Sequence, residues 1–105
     1  MFVCQWHLDT PFGKQGEALA VIRDWGRDKV AHSGFRKATG LRVMVGHVGD
    51  SPSHIIDEYC FESLADFEAA LQDMGGERFR AHAARLAPVV VPGSQHWVIH
   101  RIVAP

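Results

Sequence analysis

The 105-residue chain has no excess of either charge: 11 lysines and arginines stand against 12 aspartates and glutamates, for a formal net charge of -1. It therefore offers no electrostatic footprint for nucleic acid or for an anionic membrane surface. No apolar run approaches the roughly 20 residues that a membrane span needs. The opening MFVCQWHLD lacks a basic segment followed by a long apolar one, so no signal peptide is expected and the protein is read as cytoplasmic. There are only two cysteines, Cys4 and Cys60, and no CxxC or HExxH. With both cysteines in expected strands and without metal-type spacing, they read as buried thiols rather than as a disulfide or a nucleophile. Repeats, linkers and low-complexity tracts are absent too, which leaves one domain over 1–105.

What is present is apolar periodicity. Residues 2–8 (FVCQWHL) predict a strand that ends at Thr10-Pro11-Phe12-Gly13. From Gly16 to about Val30, Ala18, Val21, Ile22 and Trp25 recur at helical steps, with Glu17, Arg23, Asp24 and Arg27 outside the stripe. Gly34 lies beyond the helix. Residues 41–48 and 54–61 predict a strand hairpin around Gly49-Asp50-Ser51-Pro52-Ser53. Ser63 reads as an N-cap with Asp66 three residues on, and Leu64, Phe67, Leu71 and Met74 share one face of the helix that follows. Gly75-Gly76 stops it. A short helix from Glu77 to about Leu86 ends before Pro88, and residues 95–103 predict the last strand.

This order, β-α-β-β-α-β, predicts an α+β, ferredoxin-like fold: a four-stranded antiparallel sheet with the helices on one face. The strands do not alternate cleanly between apolar and polar. Leu41, Val43 and Val45 oppose Met44 and Val48; Ile55 and Tyr59 oppose Ile56 and Cys60; Trp97 and Ile99 oppose Val98 and Ile102. Both faces should then be covered, one by the helices and one by a second copy, giving a homodimer through the sheet with Ile56 on the partner's side.

With the element order, the stretch HIIDEYCFESLADFEAALQDM followed by RFRAHAARLAPVV resembles the dimeric α+β barrel superfamily. Within it the chain is most similar to NIPSNAP-type proteins and antibiotic-biosynthesis-monooxygenase-type domains. The resemblance implies the fold and the dimer. It also implies a pocket between sheet and helices, and oxygenase-like chemistry in which the substrate supplies the electrons. The haem-degrading members hold iron with a histidine in a helix comparable to the one carrying His82. Here Ala70 stands where those enzymes carry a tryptophan, and the first strand has no asparagine, so no cofactor is expected.

Among seven histidines, His82 stands out, because it occupies the inner stripe of the short helix between Phe79 and Leu86. There it reads either as a core histidine bonded to a backbone carbonyl or as a pocket acid, base or ligand. His96 and His100 share a strand face but stand roughly 13 Å apart at about 3.3 Å per residue, too far to chelate one ion. Alternation from Phe61 puts Tyr59, Asp57 and Ile55 beneath the helices, and Cys4, Trp6 and Leu8 with them. Asp57 would be a carboxylate raised by burial, or else the partner of Arg42 or Arg101. His82 and Asp57 are thus the candidate catalytic residues. Trp6, Tyr59, Phe67 and Phe79 would suit a flat apolar or aromatic ligand, or would simply fill the core of a non-catalytic dimeric module.

Overall fold

The computed structural model describes residues 1–104. Its elements are β1 (Phe2–Asp9), α1 (Gln15–His32), a 3-10 turn (Gly34–Lys37), β2 (Gly40–Val45), β3 (His54–Phe61), α2 (Leu64–Asp73), a second 3-10 turn (Glu77–Phe79), α3 (Arg80–Leu86) and β4 (His96–Arg101), with a further 3-10 turn (Ala87–Val89) before β4. The strands form one antiparallel sheet in the order β2-β3-β1-β4. This is the ferredoxin-like arrangement that the sequence pattern calls for.

Local chemistry sets the element ends. The Ser63 hydroxyl accepts from the Asp66 backbone N–H, as an N-cap should. At the end of α1 the Ser33 hydroxyl bonds back to the Lys29 carbonyl and accepts from the Phe35 N–H, and Phe35 is fully buried in the core. β2 stops at Val45, short of the expected residue 48. A Cβ on Gly46 would lie 1.9 Å from the Ser51 carbonyl oxygen, so the chain folds back at once and only glycine fits. His47 and Val48 consequently lie in the loop.

The helices cover one face of the sheet. Under α1 and α3, Trp6, Leu8 and Ile55 pack with Ala18, Val21, Ile22, Trp25, Phe79 and Leu86. Under α2, Cys4, Phe35, Tyr59, Phe61, Phe67 and Ala70 form a second cluster, and Trp97 packs against both. Two or three helices do not span four strands: Leu41, Val43 and Val45 on the β2 edge remain 40–51% exposed although they face the helix side. The opposite face carries Val3, Met44, Ile56 and Val98, all half-buried, interleaved with Gln5, His7, Arg42, His54, Glu58, His96 and His100.

Candidate functional site

The site begins with one helical row. Ile22, Gly26 and Val30 stand four residues apart on the side of α1 that faces β2. Gly26 contributes no side chain, and a Cβ there would meet nothing within 4 Å. The gap opens a groove of about 530 Å³ between α1 and the β2–β3 edge, with walls from Ile22, Gly26, Val30, Ala31, Leu41 and Val43. Asp57 and Tyr59 form its floor, and Arg23 and Arg27 stand along the rim.

The β-sheet register places the floor. Asp57 lies opposite Trp6 on β1 and opposite Val43 on β2. The tryptophan closes one side, and the short valine on the edge strand leaves the other open. Beneath the groove is a charged centre that the sequence reading did not anticipate. Lys29 is 3% exposed, and its Nζ lies 3.6 Å from Asp57 Oδ2. It donates to the Tyr59 hydroxyl at 3.5 Å, and that hydroxyl donates to Asp57 at 2.9 Å. The rings of Trp6, Trp25, Phe35 and Tyr59 surround the ammonium at 4.7–5.4 Å from their centroids, a cation–π cage.

Burial sets the electrostatics here. It pushes the Asp57 carboxyl above the usual carboxylate range, against the pull of Lys29 and the Tyr59 hydroxyl. It pulls Lys29 below its ordinary value, against the opposing effect of Asp57. Tyr59 is pushed up by burial and by the neighbouring Asp57 charge. A carboxylate displaced toward neutrality beside an apolar groove can accept or return a proton.

The other candidates are spread through the molecule. His82 stands between α3 and α1, stacked on Trp25 with ring centroids 5.9 Å apart. Its Nε2 lies 3.0 Å from Asp28 Oδ2, and its buried Nδ1 has no partner. Its partner is thus a carboxylate rather than a backbone carbonyl. Hydrogen bonds from His82 and Arg78 hold the Asp28 carboxyl below the usual range. His82 is not among the groove-lining residues. Trp6 belongs to the lysine cage, Phe67 packs on Phe61 and Trp97, and Phe79 lies in the cluster under α1 and α3. Of the aromatic candidates, only Tyr59 reaches the groove.

The expected bridge from Asp57 to Arg42 or Arg101 does not form. Alternation turns the Arg42 side chain to the other face, where it pairs with Glu58. Arg101 sits opposite Phe2, at the far end of β1. Lys29 takes their place. Lys29 stands at the next step of the Ala18, Ile22, Trp25 stripe, but a lysine near a helix end is ordinarily solvated, and only the contacts made by β3 and Phe35 bury it.

Burial pushes the Cys4 thiol up to about 11, which leaves it an inert core group. Both cysteines are free, and Cys60 is half-buried on the open face. Among the described residues, no three His, Cys, Asp or Glu side chains converge to hold a metal ion, and no helix is long and apolar enough to cross a membrane.

No family model matches the chain, and no curated protein does. Solved structures match it over nearly its whole length. An uncharacterized NIPSNAP domain protein from Burkholderia xenovorans superposes with a TM-score of 0.77 at 18% identity, covering 99% of this chain and 96% of that one. A NIPSNAP family protein from Agrobacterium tumefaciens gives 0.76 at 21% identity, covering 97% and 92%. A Caulobacter crescentus protein provisionally named an antibiotic biosynthesis monooxygenase gives 0.74 at 14% identity, covering 98% and 90%. The chain therefore has the fold of the superfamily that its sequence resembles, shared with both NIPSNAP and antibiotic-biosynthesis-monooxygenase-type structures.

Proposed function

We propose that this protein binds a flat apolar ligand, aromatic or polycyclic, in the groove between α1 and the β2–β3 edge, with Asp57 as the proton-transfer group. The observation that carries this reading is Gly26. Glycine inside a helix costs roughly 0.5–1 kcal/mol relative to alanine, and nothing packs against the space it leaves. That cost is understandable if the space is used. The groove's volume, about 530 Å³, falls in the range of small-molecule sites, which are mostly apolar with a few polar groups. Asp57 would take an acidic proton from the ligand, with Lys29 and Tyr59 adjusting its charge. The cofactor-independent, monooxygenase-like reaction is the finer form of this reading. In it the deprotonated ligand would give electrons to dioxygen, which leaves one oxygen atom on the ligand and the other in water, and the protein would supply desolvation and the proton acceptor. His82, pinned to Asp28, would act on the packing of α3 against α1.

A second reading has its own support. Lys29, Asp57 and Tyr59 satisfy one another inside an aromatic cage, as a structural ion pair does. On that reading the chain is a non-catalytic module of the NIPSNAP type. Both readings include a homodimer through the open sheet face, burying well over about 1,000 Å² in total.

A thermal-shift screen of aromatic and polycyclic compounds separates the two, because a ligand that prefers the folded state raises the melting temperature. The groove reading expects at least one compound to raise it in the wild type and in His82→Ala, with a reduced effect in Asp57→Asn. A library with no such compound, or a shift indifferent to Asp57, favours the module.

A further inference from the structure

His7, His54, His96 and His100 all lie on the open face of the sheet, and three of them cluster: the His7 ring centroid is 5.0 Å from those of both His54 and His96. The hydrogen bonds around them fix which nitrogens carry protons. The Gln5 amide nitrogen donates to Glu58 Oε1 at 2.8 Å, which turns the Gln5 oxygen toward His7 Nε2 at 3.1 Å. An amide oxygen only accepts, so His7 Nε2 carries the hydrogen and a neutral His7 presents a lone pair at Nδ1. That Nδ1 faces His54 Nε2 at 2.8 Å. The other nitrogen of His54, Nδ1, lies 2.7 Å from Asp9 Oδ1, again an acceptor. Every bond in this network is made when the pair carries one proton beyond its two neutral rings, and with His7 neutral it is His54 that donates from both nitrogens, to His7 and to Asp9.

We propose that the folded chain holds one proton on the His54–His7 pair in neutral solution, with Asp9 as its counter-charge, as a clasp between β1 and β3. Losing the proton leaves two lone pairs facing each other or breaks the bond to Asp9. Gaining a second one sets two N–H donors head to head. The Asp9 carboxylate lies against His54, whereas His7 Nε2 faces only a neutral amide oxygen, and burial with the neighbouring His54 and His96 pulls His7 below its ordinary value, so His7 is the neutral member.

The groups facing the pair come from every neighbouring element. β1 supplies Gln5 and Asp9, and β3 supplies Glu58, which is held by Arg42 of β2. β4 supplies His96, whose Nδ1 donates to the Ser94 carbonyl, and the β2–β3 loop supplies the Asp50 charge. The separation favours a proton over a metal ion: two nitrogens bound tetrahedrally to one zinc at about 2.0–2.1 Å stand roughly 3.3 Å apart, against the 2.8 Å here. Near neutrality the clasp is complete with one proton bound, and it weakens on either side of that state. This proposal does not depend on the ligand groove.

Nitrogen-15 NMR of the histidine rings at pH 7.5 tests it. An ordinary imidazole is about one-tenth charged at that pH. His54 should instead show both nitrogens protonated, and His7 only Nε2. Asp9→Asn changes an exposed residue and removes the counter-charge, so the charged fraction of His54 should fall several-fold. A neutral His54 in the wild type, or an imidazolium unaltered in Asp9→Asn, overturns the proposal. Displacement of the proton by one equivalent of zinc, seen as a shift of both rings, assigns the pair to metal binding and overturns it as well.

Discussion

Asp57 and Glu58 are neighbours in β3, and the pleat sends them to opposite sides of the sheet. On the helix side, burial raises Asp57, and its cation, Lys29, is itself 3% exposed and caged by four rings. On the open side, Glu58 is lowered, first by its hydrogen bond to an Arg42 that is largely in solvent. Two carboxylates one residue apart are thus pushed in opposite directions. The face of the sheet, more than the residue type, decides whether an acid is pushed toward its neutral form or held charged. The first kind suits proton transfer, and the second suits tying strands together.

The contrast breaks most sharply at Lys29. Lys29→Met leaves Asp57 without its cation and should cost about 3–5 kcal/mol in chemical denaturation at pH 8. The loss should shrink toward pH 5. Burial raises Asp57, so its folded form binds a proton at a pH where the unfolded chain has released it. Stability therefore recovers as pH falls through that raised value. Lys29→Met with Asp57→Leu should regain most of the loss, since no buried charge is left unpaired.

On the open face the expected break is in assembly. Ile56 is half-buried there, and Ile56→Asp would put a charge against the second copy. Sedimentation equilibrium at micromolar concentration should show a dimer for the wild type and a monomer or unfolded chain for the variant. A wild type that is monomeric throughout contradicts the pairing. Glu58→Gln is the mildest case. Its ion pair is with an exposed, solvent-screened arginine, so the change in stability should stay within about 1 kcal/mol, far below that of Lys29→Met. Equal losses at the two sites would erase the distinction between the faces.

Much of this was legible in the sequence. Period-two alternation placed Asp57, Tyr59 and Trp6 beneath the helices, and Ser63 marked the start of α2. What remained hidden depended on contacts between distant elements. Lys29 reads locally as one more solvated charge near the end of a helix, and only the approach of β3 and Phe35 makes it a buried cation. Gly26 reads as a mildly unfavourable helix residue until β2 comes opposite to it and the missing side chain becomes a groove. The His7–His54 contact joins residues 47 positions apart and needs the β1–β3 register. The end of β2 was misplaced because steric exclusion at Gly46 comes from the returning loop.

The space left by Gly26, above Asp57, is the proposed binding site. Gly26→Leu tests it most directly. The new side chain enters open space and improves helix propensity, so the free protein should gain roughly 0.5–1 kcal/mol. Any compound that raises the melting temperature of the wild type should lose that effect in the variant. A variant that binds the compound as tightly as the wild type would contradict the account.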